Sequence, residues 1–177
     1  MLKRSLLIIP LIWLAGCAQP PIMYPTAPKS APAAAPRAFK VDRVVVDKGA
    51  RELMLIHAGR VIRSYPVALG PNPSGHKIME GDGRTPEGSY VLDWRNPNSK
   101  FDRSIHVSYP DQADRQLAAR LGVSPGGMIM IHGESNYLRF GGGPIGDWTE
   151  GCIAVSNGAM DEIWTLVDDG TPILINP

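Results

Sequence analysis

Residues 39–177 predict a mainly β domain of the α+β class with about two helices. Three observations lead there. Eight short segments rich in branched and aromatic residues are mostly bounded by glycine, proline or asparagine, only two stretches carry helical spacing, and two long loops are rich in glycine. These 139 residues suit one domain with a proper core.

In chain order, "VDRVVVD" (41–47), "RELMLIH" (51–57) and "RVIRSYPVAL" (60–69) read as strands, the last two joined by a tight turn at Ala58-Gly59. "GSYVLDW" (88–94) and "RSIHVSY" (103–109) follow, then "GMIMIHG" (127–133), "CIAVS" (152–156) and "PILIN" (172–176). Alternation of polar and apolar residues is imperfect, so several strands are expected to be buried on both faces. "DQADRQLAARLG" (111–122) predicts a helix ending at a glycine suited to the left-handed terminal position. "NGAMDEIWTLVDDG" (157–170) predicts a second, with Asn157 as cap and Met160, Ile163, Trp164 and Val167 on the core face. "GPNPSGHKIMEGDGRTPEG" (70–88) and "GGGPIGDWTEG" (141–151) are long loops, where binding residues tend to sit.

The front of the chain reads differently. Lys3 and Arg4 precede an apolar run over residues 6–14, interrupted by Pro10 and too short for a span of about 20 residues. The sequence Leu14-Ala15-Gly16-Cys17 resembles the lipobox of bacterial lipoproteins. That resemblance implies a signal peptide over residues 1–16, cleavage before Cys17 and lipidation of Cys17. Residues 18–38 are rich in proline and alanine, so 17–38 forms a lipidated cysteine plus an extended tether of about 60 Å. Ala18 follows the cysteine, which by analogy with other lipoproteins directs the anchor to the outer membrane from the periplasmic side. Removing Lys3 and Arg4 from the 18 basic residues leaves 16 against 17 acidic, a net of −1. No basic stripe points to nucleic acid.

Cysteine count then isolates one thiol. With Cys17 carrying lipid, Cys152 has no partner in an oxidising compartment, and an odd thiol there is either reactive or a small buried hydrophobe. Cysteine attack on a carbonyl needs a base to form the thiolate and donors for the developing oxyanion. The amides of Gly151 and Cys152, at a turn entering a strand, are natural donors. His132 ends the strand "MIMIHGE", and two adjacent strand ends would bring imidazole and sulfur together.

The stretch "IHG" followed, after sixteen intervening residues from His132, by Thr149-Glu150-Gly151-Cys152 resembles the signature of the YkuD-type L,D-transpeptidases. "GRTPEGSYVL" (83–92) is similar to that family's threonine-proline turn, and "MDEIWTLVDDGTPILI" (160–175) to its closing helix and strand. The resemblance implies an L,D-transpeptidase-type β-sandwich over residues 39–177, acting on peptidoglycan stem peptides without cofactor. It implies roles too: Cys152 as nucleophile forming a thioester, His132 as general acid and base, the Gly133 carbonyl orienting the imidazole, and the Gly151 N–H in the oxyanion hole. Thr149, Glu150, Arg139 and Arg84 are candidates for contacting substrate. An amine from another stem or from an outer-membrane protein would accept the acyl group.

Two positions depart from the family pattern. Glu150 stands where a histidine is usual, and Ala154 where an arginine is common two residues after the cysteine. A charged carboxylate beside the thiol raises its pKa. The departures leave the acceptor open between an amine and water, the latter giving an L,D-carboxypeptidase or endopeptidase. A non-catalytic peptidoglycan-binding lipoprotein is a further alternative. His57, His76 and His106 have no metal-ligand spacing, so no metal is expected, and His76 reads as a solvated loop histidine.

Overall fold

The computed structural model describes residues 40–135 and 146–177. Strands β1 (Arg43–Asp47), β2 (Glu52–His57) and β3 (Arg60–Pro66) form an antiparallel meander. Val44 and Val46 of β1 and Leu53 and Leu55 of β2 turn inward at every second residue. Each such side chain contributes roughly 1.5–3 kcal/mol on burial. The β2–β3 turn uses Ala58 and Gly59, both at positive φ (48° and 74°), the geometry whose twist matches paired strands.

β4 (Gly88–Ser99) and β5 (Asp102–Val107) form a long hairpin, followed by α1 (Gln112–Leu121). Asp111 and Asp114 each accept the other's backbone N–H at 2.9 Å, closing the first turn of α1. Gly122 ends that helix at φ 69°. β6 (Met130–His132), β7 (Ile153–Ala154), α2 (Asn157–Leu166) and β8 (Thr171–Asn176) complete the fold. Ser156 caps α2, accepting from Ala159 N–H, rather than the expected Asn157. The Asn157 carboxamide instead accepts the Glu134 N–H at 2.7 Å and so ties α2 to the chain just after β6. Met160, Ile163 and Val167 pack into the core as their spacing predicts, and Trp164 packs partly against it.

The strands join in one sheet in the order β3-β2-β1-β8-β4-β5-β6-β7, parallel at β1–β8 and β6–β7 and antiparallel elsewhere. The sheet curls on itself. Ala68, two residues beyond β3 at one end, exchanges two 2.9 Å hydrogen bonds with Ala154 of β7 at the other. β6 and β7 are therefore covered on both faces, as the weak alternation predicts, whereas β1, β2 and β8 alternate cleanly.

The 70–88 loop is pinned more firmly than its composition suggests. Lys48, 1% exposed, donates to Gly75 O (2.7 Å), Thr85 O (3.0 Å) and Glu87 Oε1 (2.7 Å). Replacing Lys48 with methionine keeps the apolar stem but leaves those three acceptors unpaired. We expect a loss of about 2–4 kcal/mol, read as a lower urea midpoint at unchanged slope.

Candidate active site

Cys152 immediately precedes β7 and His132 ends β6. The parallel register pairs Ile131 with Ile153 and His132 with Ala154, so one step back sets Cys152 beside Met130. Paired residues project to the same face and alternate residues share it. His132 and Cys152 thus share one face of neighbouring chain segments, offset by two residues along the register.

The imidazole is held from three sides. His132 is 3% exposed, its ring 4.6 Å from that of Phe101 and 5.6 Å from that of Trp148. Its Nδ1 lies 2.7 Å from the Gly133 carbonyl. That oxygen can only accept, so the neutral ring carries its proton on Nδ1 and leaves Nε2 bare. Burial pulls the imidazole below its ordinary range, outweighing the Gly133 hydrogen bond that favours protonation. Gly133 has no space for a side chain: a β-carbon there would meet Asn157 Oδ1 at 2.5 Å and Phe101 O at 3.1 Å.

The half-buried thiol of Cys152 donates to Met128 O at 3.6 Å. Burial pushes it above the usual thiol range. The Met130 N–H works against that rise, the Glu150 carboxylate adds to it, and the Lys77 ammonium opposes it. Met128 holds a left-handed conformation, φ 56°, uncommon for a residue with a side chain and frequent at functional sites. The thiol opens onto a cleft of about 700 Å³ whose walls include Lys77, Glu80, Met128, Trp148, Thr149 and Glu150.

Several predicted site residues serve differently from expectation. The Gly151 N–H, expected to face an oxyanion, donates instead to Thr149 Oγ1 at 3.2 Å. Thr149 Oγ1 in turn donates to Cys152 O at 2.8 Å, so its hydroxyl hydrogen braces the turn. Gly151 is at φ 116°, and a β-carbon there would lie 2.4 Å from Arg84 O, while Thr85 Oγ1 donates to Gly151 O at 2.9 Å. Glu150 is exposed on the cleft wall. Arg84 directs its side chain not into the cleft but into an adjoining hollow. Arg139 and Cys17 lie outside the described residues. His76 is not a solvated loop residue: Nδ1 accepts the Glu87 N–H at 3.0 Å and Nε2 lies 2.9 Å from Asp114 Oδ1. Among the described residues no group of three or more His, Cys, Asp or Glu is placed to hold a metal.

Sequence reasoning passed over Trp148, Phe101 and Lys77. Trp148 stands four residues before the cysteine, where the aromatic read as loop. Lys77, 3% exposed, looked like any loop lysine; its role follows from Asp82, which accepts from Lys77 Nζ at 2.9 Å and from the amides of Ile78, Met79 and Arg84. Asp147 is a second such hub. It accepts from the Arg51 guanidinium and, at 2.9 Å, from the Leu69 N–H, and so secures the start of the cysteine turn. Burial raises the Asp147 carboxyl's pKa, and these partners more than reverse that, holding it below the usual range.

The domain is curled and mainly β, with a histidine ending one strand and a cysteine just ahead of the parallel strand beside it. Residues 41–175 match the YkuD family, the L,D-transpeptidase catalytic domain, and the chain belongs to that family. Among solved structures it is similar to the helical cell shape determining protein Pgp2 from Campylobacter jejuni, at 25% identity and TM-score 0.60 over 76% of this chain and 47% of that one. Bd1075 from Bdellovibrio bacteriovorus is similar at 26% identity and TM-score 0.55, over 78% and 48%. The fold is also shared with the L,D-transpeptidase from Xylanimonas cellulosilytica, at 20% identity and TM-score 0.50, over 79% and 62%. The chain spans about half the length of the first two. No curated protein matches it in sequence.

Two measurements test the site. Glu150→Gln removes a charge that disfavours the thiolate, so the thiol pKa falls and alkylation by iodoacetamide at pH 7 quickens about two- to fivefold at low salt. Lys77→Met removes a charge that favours it and slows the same reaction. Equal rates in all three proteins would contradict the assigned electrostatics. Gly151→Ala, with its strained φ and the Arg84 carbonyl in the way, is expected to cost about 2 kcal/mol or more of stability by denaturant titration.

Proposed function

We propose that Cys152 is the nucleophile of a peptidoglycan L,D-transpeptidase, with His132 as its general acid and base. The observation that supports this reading is the β6–β7 register, which puts His132 and Cys152 on one face, with the thiol at the cleft and the imidazole Nδ1 engaged by the Gly133 carbonyl. The thiol gives its proton to Nε2 and the sulfur attacks a stem-peptide carbonyl, forming a tetrahedral oxyanion. With the Gly151 amide engaged, the Cys152 amide is the donor of that pair left for the oxyanion. Collapse breaks the carbon–nitrogen bond, the leaving amine of the terminal D-residue takes the proton from His132, and a thioester remains. An incoming amine gives its proton to His132, attacks the thioester carbon and expels the sulfur, which recovers the proton.

The domain's setting follows from the chain's front. Cys17 carries lipid in an outer membrane, residues 18–38 span the gap to the wall, and the acceptor is a second stem or an outer-membrane protein. Remodelling of wall peptides bears on cell shape, the property for which Pgp2 is named.

Incubating the protein with a stem tetrapeptide and a D-amino acid tests the transfer. Exchange of the terminal residue is expected, together with a Cys152-linked mass adduct from a carbapenem that is absent from Cys152→Ala. Hydrolysed peptide without exchange makes water the acceptor and the protein an L,D-carboxypeptidase. Folded wild-type protein that neither turns over peptide nor forms the adduct overturns the enzymatic reading in favour of wall binding.

A further inference from the structure

Arg84 is a cation without a counter-charge at the edge of the cleft. Arg51, Arg63, Arg95 and Arg103 each lie within 3.0 Å of an aspartate or glutamate oxygen. No carboxylate among the described residues pairs with Arg84, whose guanidinium makes one long contact, Nη1 to His76 O at 3.5 Å. It lies over the bare face of Gly75, where a β-carbon would sit 3.3 Å from Nη1. The side chain lines a hollow of about 480 Å³ with Asn72, Ile78, Met79, Gly81 and Asp82, and Gly81 also lines the cleft that holds Cys152.

The nearby acids are already committed. Asp82 is neutralised by Lys77 and saturated by three amides. Glu87 pairs with Lys48 at 2.7 Å, and Asp114 with His76 Nε2 at 2.9 Å. Among the described residues of the cleft itself, Glu80 and Glu150 present carboxylates, and the one lysine in its wall is matched by Asp82. An anionic group on a bound peptide is therefore repelled from the cleft wall and attracted to the hollow beside it. A guanidinium offers the planar, paired donors that a carboxylate accepts.

We propose that Arg84 forms a carboxylate-binding subsite, taking a free carboxylate of the peptide whose carbonyl is presented to Cys152. The proposal rests on reading the cleft as a peptide acyl-transfer site. The subsite is fixed relative to the thiol, because the Arg84 carbonyl packs on Gly151 and the next residue, Thr85, hydrogen-bonds Gly151 O. Arg84 thus sets which end of the peptide lies where, and the acid-lined cleft keeps that end from entering backwards.

The test compares a stem tetrapeptide bearing its C-terminal carboxylate with the same peptide as a C-terminal amide. Binding is measured by calorimetry on the full chain carrying Cys152→Ala, so that no chemistry intervenes. The carboxylate peptide is expected to bind about tenfold more tightly than the amide. Arg84→Gln, which keeps a planar group over Gly75, should erase that preference by weakening the carboxylate peptide alone, and Arg84→Lys should restore part of it. Equal binding of both peptides to the Arg84 protein, or equal weakening of both by Arg84→Gln, overturns the subsite. Absence of binding by either peptide overturns it as well. Turnover in the Cys152 protein reads the catalytic proposal separately: a carboxylate preference without turnover sinks the enzyme and keeps the subsite, whereas turnover without preference does the reverse.

Discussion

Two hydrogen bonds between Ala68 and Ala154, each 2.9 Å, join the ends of the sheet, and the site depends on that closure. β7 is only two residues long and could not hold a position by pairing with β6 alone. Held by β6 on one side and by the chain after β3 on the other, it becomes a fixed platform for the residue in front of it. The same closure recruits the next contacts outward: Leu69 O accepts from Thr149 N–H, and Leu69 N–H donates to Asp147. A turn rich in glycine thus acquires a single shape through bonds that reach across the whole sheet order. The thiol at its end inherits that rigidity.

Rigidity comes with burial, and burial opposes charge on both reacting groups. The thiol is pushed up and the imidazole down, so at neutral pH both the thiol and the ring are held neutral. The thiol hydrogen is parked on Met128 O, while the Met130 amide stands ready for the thiolate that succeeds it. In the proposed reaction, nucleophile formation then belongs to the reaction step and not to the resting state. In that reaction, an imidazolium and a thiolate formed together in a buried site attract one another more strongly than they would in water. A resting thiolate would be more open to oxidation, and a neutral thiol avoids that.

The local alphabet of the fold was legible in the sequence: strands from branched residues, a hairpin from Ala58-Gly59, helix ends from Asp111 and Gly122. The closure was not, because Ala68 and Ala154 are small apolar residues with nothing to mark them as partners. Cys152 and His132 could be singled out because chemistry restricts the residue types of a nucleophile and its base, and their spacing matches a known family. The supporting residues could not. Thr149 and Gly151 satisfy one another through bonds that depend on the exact turn, and Lys77 and Asp82 become a buried pair only once their loop folds back. Asn157 shows the same limit, since a good capping residue was diverted to the chain beside His132 while Ser156 took the cap.

The position of Ala154 explains why one departure from the family pattern had to be answered elsewhere. Ala154 is fully buried, paired with His132 on one side and Ala68 on the other. A guanidinium placed there would enter the seam that closes the sheet, where an unpaired charge is costly. With no cation at 154 and a carboxylate at 150, positive charge near the thiol has to arrive from a different part of the chain. Among the described residues, the 70–88 loop brings it through Lys77 in the cleft wall, with Arg84 in the adjoining hollow. That explains why a stretch so rich in glycine and proline is held by a buried lysine and an aspartate with four donors. Its cations keep a fixed distance from the sulfur only while the loop keeps its shape.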